Sequence, residues 1–114
     1  AVMIRGDASR LRELLDNLLD NAIRYSQQGG RVTVRVARDP APTVAVSDDG
    51  PSIPPEERAR IFERFHRLLG SGDGSGLGLA IAQEIANIHN ASIQLSDDVH
   101  DGVGNVFSVI FPAP

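Results

Sequence analysis

The sequence predicts an α/β sandwich of the α+β kind, in which a mixed, mostly antiparallel sheet of about five strands carries three helices on one face. The chain has 114 residues with 41% hydrophobic and 23% charged side chains, a composition typical of one globular domain spanning residues 1–114. Helical and strand patterns follow in the order helix, two strands, helix, glycine-rich loop, helix, two strands. Short turns join consecutive strands, which favours hairpins and antiparallel pairing.

The first helix is predicted to begin after Asp7, a residue type that favours helix N-caps, and to end near Ser26. Its apolar side chains recur every three or four residues, which is typical of one helix face: Leu11, Leu14, Leu15, Leu18, Leu19, Ala22 and Ile23. A pair of glycines follows. Beyond it, three valines alternate with polar residues and predict a half-buried strand: Val32, Val34 and Val36.

The second strand is predicted over Thr43 to Asp48, before a turn through Gly50 and Pro51. The next helix is predicted to start at two prolines and two glutamates and to run through Ile61 and Phe62. The remaining predicted elements are a helix from about Leu79 to His89, strands at Ser92 to Leu95 and Val106 to Phe111 joined by a turn around 102–105, and a short strand at Val2 to Ile4.

The composition excludes several function classes. The absence of cysteine excludes disulfides, thiol catalysis and cysteine-ligated zinc, and the net charge of −4 argues against a nucleic-acid partner. No apolar run approaches the roughly 20 residues of a membrane span, so we expect a soluble domain without direct membrane contact. The three histidines lack metal-ligand spacing, and no serine lies in a GxSxG context.

Two polar features stand out on the predicted elements. Asn17, Asn21 and Arg24 lie on one stripe of the first predicted helix. Amides can donate to phosphate oxygens or offer an oxygen to a hard cation, and a guanidinium can bind phosphate. The alternative interpretation is a solvated helix face. Asp48 shares strand parity with Val44 and Val46 and should face the same side, where a carboxylate needs a donor such as a purine amine. The alternative for Asp48 is a cap on the turn that follows it, and Asp49 should face solvent.

A glycine-rich loop over 70–78 precedes the third predicted helix. Glycines expose backbone N–H groups, and a helix N-terminus favours anions, so this segment could hold phosphates. It contains neither the Walker A pattern nor the GxGxxG dinucleotide pattern. A hinge or a linker is the alternative interpretation.

Taken in order, these segments resemble the ATP-binding catalytic domain of bacterial two-component sensor histidine kinases, within the gyrase, Hsp90, histidine kinase and MutL superfamily. ELLDNLLDNAIRYS at 13–26 is similar to the family's N box, DDGPSIPPEERARIFERFHR at 48–67 to its G1 and F boxes, and GSGLGLAI at 74–81 to its G2 box. The resemblance runs almost end to end and implies the Bergerat-type ATP-binding fold, with ATP and Mg²⁺ as cofactors.

The resemblance also implies roles for individual residues. Asn21 corresponds to the magnesium-coordinating asparagine, Asn17 to its nucleotide-contacting neighbour, and Arg24 to the basic residue that reaches the phosphates; these three form the catalytic set. Asp48 corresponds to the carboxylate that accepts from the adenine amine. The remaining implied nucleotide contacts are Tyr25, Gly50 and Ile53 at the base, Phe62, Phe65 and Arg67 at the anchor of the lid, and Gly74, Gly76, Leu77, Gly78 and Leu79 at the lid base.

One position bears on mechanism. ATP hydrolases of the superfamily carry a glutamate where this chain has Asn17, and an asparagine cannot act as a general base at neutral pH. The resemblance therefore implies a site that holds Mg-ATP and delivers the γ-phosphoryl group to a histidine supplied by a dimerisation domain, with a response regulator acting downstream. We expect an excised, monomeric, cytoplasmic catalytic domain whose parent is anchored in the inner membrane.

Two alternatives stay open. The first is a nucleotide-binding regulatory module without phosphotransfer. Ser52, which occupies the second glycine of the DxGxG pattern, supports it, because serine is disfavoured at positive φ. The second is a serine kinase of the anti-sigma-factor type. A short lid also predicts modest nucleotide affinity in the isolated domain.

Overall fold

The computed structural model describes residues 2–26, 29–58, 60–63, 77–100 and 103–113. Its elements are α1 (Ala8–Tyr25), β1 (Val32–Ala37), β2 (Thr43–Pro51), α2 (Pro55–Arg58), α3 (Gly78–Ile88), β3 (Ser92–His100) and β4 (Val103–Ile110). The strands form one sheet in the order β1-β2-β4-β3, and every pairing is antiparallel. The α+β sandwich is therefore confirmed. No helix in the described ranges is long and apolar enough to cross a bilayer.

The core lies between the sheet and the α1 and α3 helices. Helix α1 packs against α3 and over β2, while α3 packs over β3. The largest fully buried apolar side chains come from both layers: Leu14, Leu18, Ile85, Val46, Phe107 and Val109. Burying each such side chain stabilises the fold by roughly 1.5–3 kcal/mol relative to leaving it exposed. The packing of these side chains fixes the position of the two helices on the sheet.

The sheet matches the predicted fold class and differs from the expectation in two details. The described residues form four strands rather than about five, and the sheet is wholly antiparallel rather than mixed. The segment Val2–Ile4 pairs with no strand; Ile4 instead packs its side chain against the core. The valines of β1 are also more exposed than predicted, with Val34 at 49% and Val36 at 62%, because α1 lies over β2 and α3 lies over β3, which leaves the β1 edge of the sheet open.

Element bounds differ from the predictions in three places. Helix α2 spans Pro55–Arg58 rather than running through Phe62. Beyond it, Glu57 O accepts from Arg60 N at 3.0 Å and from Ile61 N at 3.1 Å, and Arg60 O accepts from Glu63 N at 2.9 Å, a mixture of three- and four-residue bonds that is typical of irregular turns. Strands β3 and β4 meet in a longer hairpin than expected. Strand β2 continues to Pro51 through an irregularity in its register after Asp48.

Candidate functional site

Helices α1 and α3 run antiparallel, and the middle of α1 faces the start of α3. Asp7 at the beginning of α1 contacts His89 at the end of α3, while Gly78 at the beginning of α3 lies next to Asn17. A β-carbon added to Gly78 would be 3.5 Å from Asn17 Oδ1, so the first turn of α3 lies next to the Asn17 amide. The cap position of α3 is Leu77, whose side chain makes no capping hydrogen bond.

The far end of α1 meets the end of β2. A β-carbon at Gly50 would overlap the carbonyl oxygen of Tyr25, so the backbone of β2 passes directly against the last turn of α1. Only glycine permits this approach. It places Asp48, two residues earlier, beneath the same helix end.

Asp48 is buried, with 3% of its surface exposed. Its Oδ1 accepts from Gly50 N at 2.9 Å and from Asn105 Nδ2 at 3.2 Å, whereas its Oδ2 is buried without a partner. Removal from water raises the pKa of Asp48, and the neighbouring Asp49 raises it further, while the hydrogen bonds from Gly50 and Asn105 lower it in part. The parity prediction is confirmed: Asp48 lies on the buried face with Val46.

The amides of Asn17 and Asn21 show the same feature. The Nδ2 atom of each is buried and has no hydrogen-bond partner. Leaving a buried donor unpaired costs about 1–3 kcal/mol, so buried polar atoms without partners at one end of a helix pair indicate a ligand that completes them. This excludes a purely solvated face for the two asparagines. Arg24, one turn further on, is exposed.

Some of the remaining predicted site residues lie in the described part of the chain, and others lie outside it. Ile53 is buried at 2% exposure and linked through Asn105 to Asp48, and Phe62 packs edge-on against Phe107 with ring centroids 6.2 Å apart. Leu79, in the first turn of α3, packs against the core. The predictions for Phe65, Arg67, Gly74 and Gly76 lie outside the described residues.

The backbone at Ser52 does not have the positive φ that the DxGxG pattern suggested. Among the described residues that are not glycine, only Asn90 has a positive φ, so Ser52 occupies an ordinary backbone conformation. Its Oγ donates to Gly104 O at 3.0 Å and ties the segment after β2 to β4. The strain that supported the regulatory-module alternative is absent.

Asp49, on the opposite parity, is half-buried rather than simply solvent-facing, and its Oδ2 accepts from Arg31 N at 2.8 Å. This bond ties the residue before β1 to β2.

Sequence reasoning missed Asn105. The alternation predicts a last strand from Val106 and a turn around 102–105, whereas β4 begins at Val103. The available signal was parity, since Asn105 shares its alternation with Phe107, Val109 and Phe111 and therefore continues the buried row by one polar residue.

An apolar groove of about 260 Å³ lies elsewhere, where the first residues of the chain meet α1 and the β1 edge of the sheet. Its lining carries no charged side chain: Val2, Ile4, Leu11, Leu14, Leu15, Val36, Pro42, Thr43, Val44 and Phe111. It offers a nucleotide no phosphate ligand, which leaves the unpaired atoms of α1 and β2 as the candidate site. Among the described residues, no group of three or more His, Cys, Asp or Glu side chains could hold a metal.

Comparison with known proteins decides the family. The model of the histidine kinase-, DNA gyrase B- and HSP90-like ATPases matches residues 6–114. The chain belongs to this family. A relative from Mycolicibacterium vanbaalenii, described as the signal transduction histidine-protein kinase/phosphatase MprB, is 43% identical over 96% of this chain and 24% of its own length. The chain thus spans about a quarter of that relative's length.

Solved structures agree. A mycobacterial sensor histidine kinase MprB is 38% identical with a TM-score of 0.87, covering 97% of this chain and 78% of that chain. Full-length ShkA, solved in complex with AMPPNP, is 29% identical with a TM-score of 0.77 over 100% of this chain and 24% of that chain. The family resemblance inferred from the N, G1, F and G2 boxes is confirmed.

Proposed function

We propose that this domain binds Mg-ATP and donates the γ-phosphoryl group to a histidine on the dimerisation domain of a sensor histidine kinase. The observation that carries the proposal is the set of three buried, unpaired polar atoms: Asn17 Nδ2, Asn21 Nδ2 and Asp48 Oδ2. An unpaired carboxylate oxygen suits the exocyclic amine of adenine, and unpaired amides suit phosphate oxygens. The family membership and the AMPPNP complex of the ShkA neighbour support the choice of nucleotide.

The residues present fit a magnesium ion held mainly by the nucleotide. Asn21 would supply one amide oxygen, and phosphate oxygens and water would complete the shell, as is usual for Mg²⁺. When bound, the ion would neutralise charge on the phosphates. The side chains of Asn17 and Arg24 would position the nucleotide around the ion. The backbone N–H groups in the first turn of α3 would also favour its phosphates.

Transfer rather than hydrolysis is favoured by what surrounds Asn17. An amide cannot take a proton from water at neutral pH, and the nearby acidic residues of α1, Glu13, Asp16 and Asp20, are exposed. The domain would therefore hold ATP without activating water and deliver the phosphoryl group to a nucleophile brought by a partner. A response regulator would receive it afterwards.

The test is a phosphotransfer assay with γ-labelled ATP and a helical dimerisation domain that carries the phosphoacceptor histidine. We expect label on that domain that is lost in acid and absent when the histidine is replaced by glutamine. Acid-stable label would instead indicate a serine kinase, and nucleotide binding without any label would indicate a regulatory module. Label in the glutamine variant would contradict histidine as the acceptor.

A further inference from the structure

Asn105 is a buried polar residue that neither the sequence pattern nor the family resemblance assigned to the site. Its side chain is 1% exposed, and it lies on β4 directly across from Asp48 on β2. The next residues on the same side of β4 are Phe107 and Val109, which are fully buried. An amide is therefore held at the end of an apolar row, where it is stable only with hydrogen-bond partners.

The Asn105 amide has a protein partner for each of its polar groups. Its Nδ2 donates to Asp48 Oδ1 at 3.2 Å and to Pro51 O at 2.9 Å, and its Oδ1 accepts from Ile53 N at 2.8 Å. Both hydrogens of the amide are used. Turning the amide over would set its oxygen against two acceptors, so its orientation is fixed.

This arrangement divides the two oxygens of Asp48. Oδ1 receives both protein donors, Gly50 N and Asn105 Nδ2, while Oδ2 is buried and receives none. Two donors from different strands restrict rotation of the carboxylate more than one donor would. Oδ2 is consequently held as an acceptor facing away from the sheet contacts.

We infer that Asn105 is a positioning residue for base selection: by engaging Asp48 Oδ1, it leaves Oδ2 as the acceptor that selects a purine carrying an exocyclic amine. The inference rests on the proposed function, because it assumes that Asp48 meets the base. Asn105 itself touches no nucleotide in this account. Its effect is therefore on discrimination between bases and not on the triphosphate.

The experiment compares ATP with inosine triphosphate, which has the same ribose and phosphates but an oxygen in place of the amine. Dissociation constants are measured by calorimetry with Mg²⁺ for the unmodified chain, Asp48→Ala and Asn105→Leu. We expect the unmodified chain to prefer ATP by about tenfold or more, as for one hydrogen bond to a charged acceptor. Asn105→Leu should reduce that preference about fivefold or more, within the range for coupled contacts, while inosine triphosphate affinity stays within about twofold.

A second variant and a control separate positioning from folding. Leucine leaves Ile53 N and Pro51 O without partners, so Asn105→Ser, which is smaller and keeps a hydroxyl, decides the question if the leucine variant does not fold. Ser52→Ala is the matched control: it removes the hydroxyl that donates to Gly104 O, the neighbour of Asn105, without touching Asp48. Any loss in this control should be equal for the two nucleotides.

Each outcome separates the inference from the proposal beneath it. If the unmodified chain shows no preference for ATP and Asp48→Ala changes nothing, the base contact of the proposed function fails and the inference with it. If Asp48→Ala abolishes the preference but both Asn105 variants retain it, the inference alone is overturned. Equal weakening of both nucleotides in the Asn105 variants, as in the control, also overturns it, because Asn105 would then only stabilise the fold.

Discussion

The two ends of the pair formed by α1 and α3 differ in whether their polar atoms have hydrogen-bond partners within the protein. At one end, His89 Nδ1 lies 2.8 Å from Ile85 O and His89 Nε2 accepts from Asp7 N at 3.0 Å, while Asp7 Oδ1 accepts from the first turn of α1. At the other end, Asn17 Nδ2, Asn21 Nδ2 and Asp48 Oδ2 are buried and unpaired.

The difference indicates where stability and binding reside. Each hydrogen bond at the end that contains His89 stabilises the fold by roughly 1 kcal/mol. Each unpaired atom at the end that contains Asn17 costs about 1–3 kcal/mol until a ligand supplies a hydrogen-bond partner. We call these the latch end, defined by Asp7, Ile85 and His89, and the site end, defined by Asn17, Asn21 and Asp48. Variants at the latch end should change stability alone, and variants at the site end should change binding most.

The largest effect is expected on stability at Gly50, where the backbone of β2 passes against the last turn of α1. Gly50→Ala would force a β-carbon into the Tyr25 carbonyl and should lower the free energy of unfolding by about 3 kcal/mol or more, because backbone cannot yield as a side chain does. Urea denaturation measures it. Gly78→Ala is the matched control: its β-carbon would make ordinary contact at 3.5 Å from Asn17 Oδ1, and we expect a change within about 0.5 kcal/mol. Equal stability of both variants would refute the close packing of α1 on β2.

Asp48→Asn should separate binding from stability at the site end. Gly50 N and Asn105 Nδ2 both donate to the Oδ1 position, so the new amide must place its oxygen there and its NH₂ group toward the base. ATP affinity should fall about 10- to 100-fold, and inosine triphosphate should become the better ligand. Removing a buried charge should also raise the unfolding free energy of the nucleotide-free protein. Unchanged ATP affinity in calorimetry would remove Asp48 from the site.

His89→Ala should act only at the latch end. The variant loses the acceptor for Asp7 N and the donor to Ile85 O, and we expect unfolding to become easier by about 1–2 kcal/mol. ATP affinity should stay within about twofold, since His89 lies at the end of α3 whereas Asn17 lies next to its start. Urea denaturation and nucleotide titration on the same preparation measure the two effects. A large loss of affinity at unchanged stability would contradict the division between the ends.

The smallest expected effect is a pH dependence that has opposite signs for stability and binding. Burial raises the folded-state pKa of Asp48, so its contribution to stability is fully present below the unfolded-state pKa and is lost as pH rises through the folded-state pKa. ATP affinity should rise over the same interval, because the ionised carboxylate is the acceptor. The difference between the parent chain and Asp48→Asn isolates this residue from the other carboxylates. Parallel pH profiles for the two proteins would contradict it.

Local patterns predicted much of the fold. The bounds of α1 followed from the Asp7 cap and the leucine spacing, and the inward direction of Asp48 followed from strand parity. The exposure of Val34 and Val36 could not be predicted, because alternation shows that a strand has two faces and does not show how far the helices extend over an edge strand. The end of α2 at Arg58 likewise depends on bonds that apolar spacing does not encode.

The site was predictable in part. Spacing placed Asn17 and Asn21 on one stripe, but their unpaired amides follow from how α1 packs, which no local pattern shows. Asn105 was missed because its role depends on register with Asp48, 57 residues away in the chain. All the nucleotide contacts assigned to site residues, those of Asn17, Asn21 and Asp48 included, remain predictions.

Calorimetric titration of ATP, with and without Mg²⁺, measures whether the domain binds a nucleotide at the unpaired atoms of the site end. We expect magnesium-dependent binding to the unmodified chain, loss of binding with Asp48→Ala, and binding that no longer responds to magnesium with Asn21→Ala. Absence of heat, together with no displacement of a fluorescent ATP analogue, would contradict this expectation and leave a family fold whose buried polar atoms serve no nucleotide.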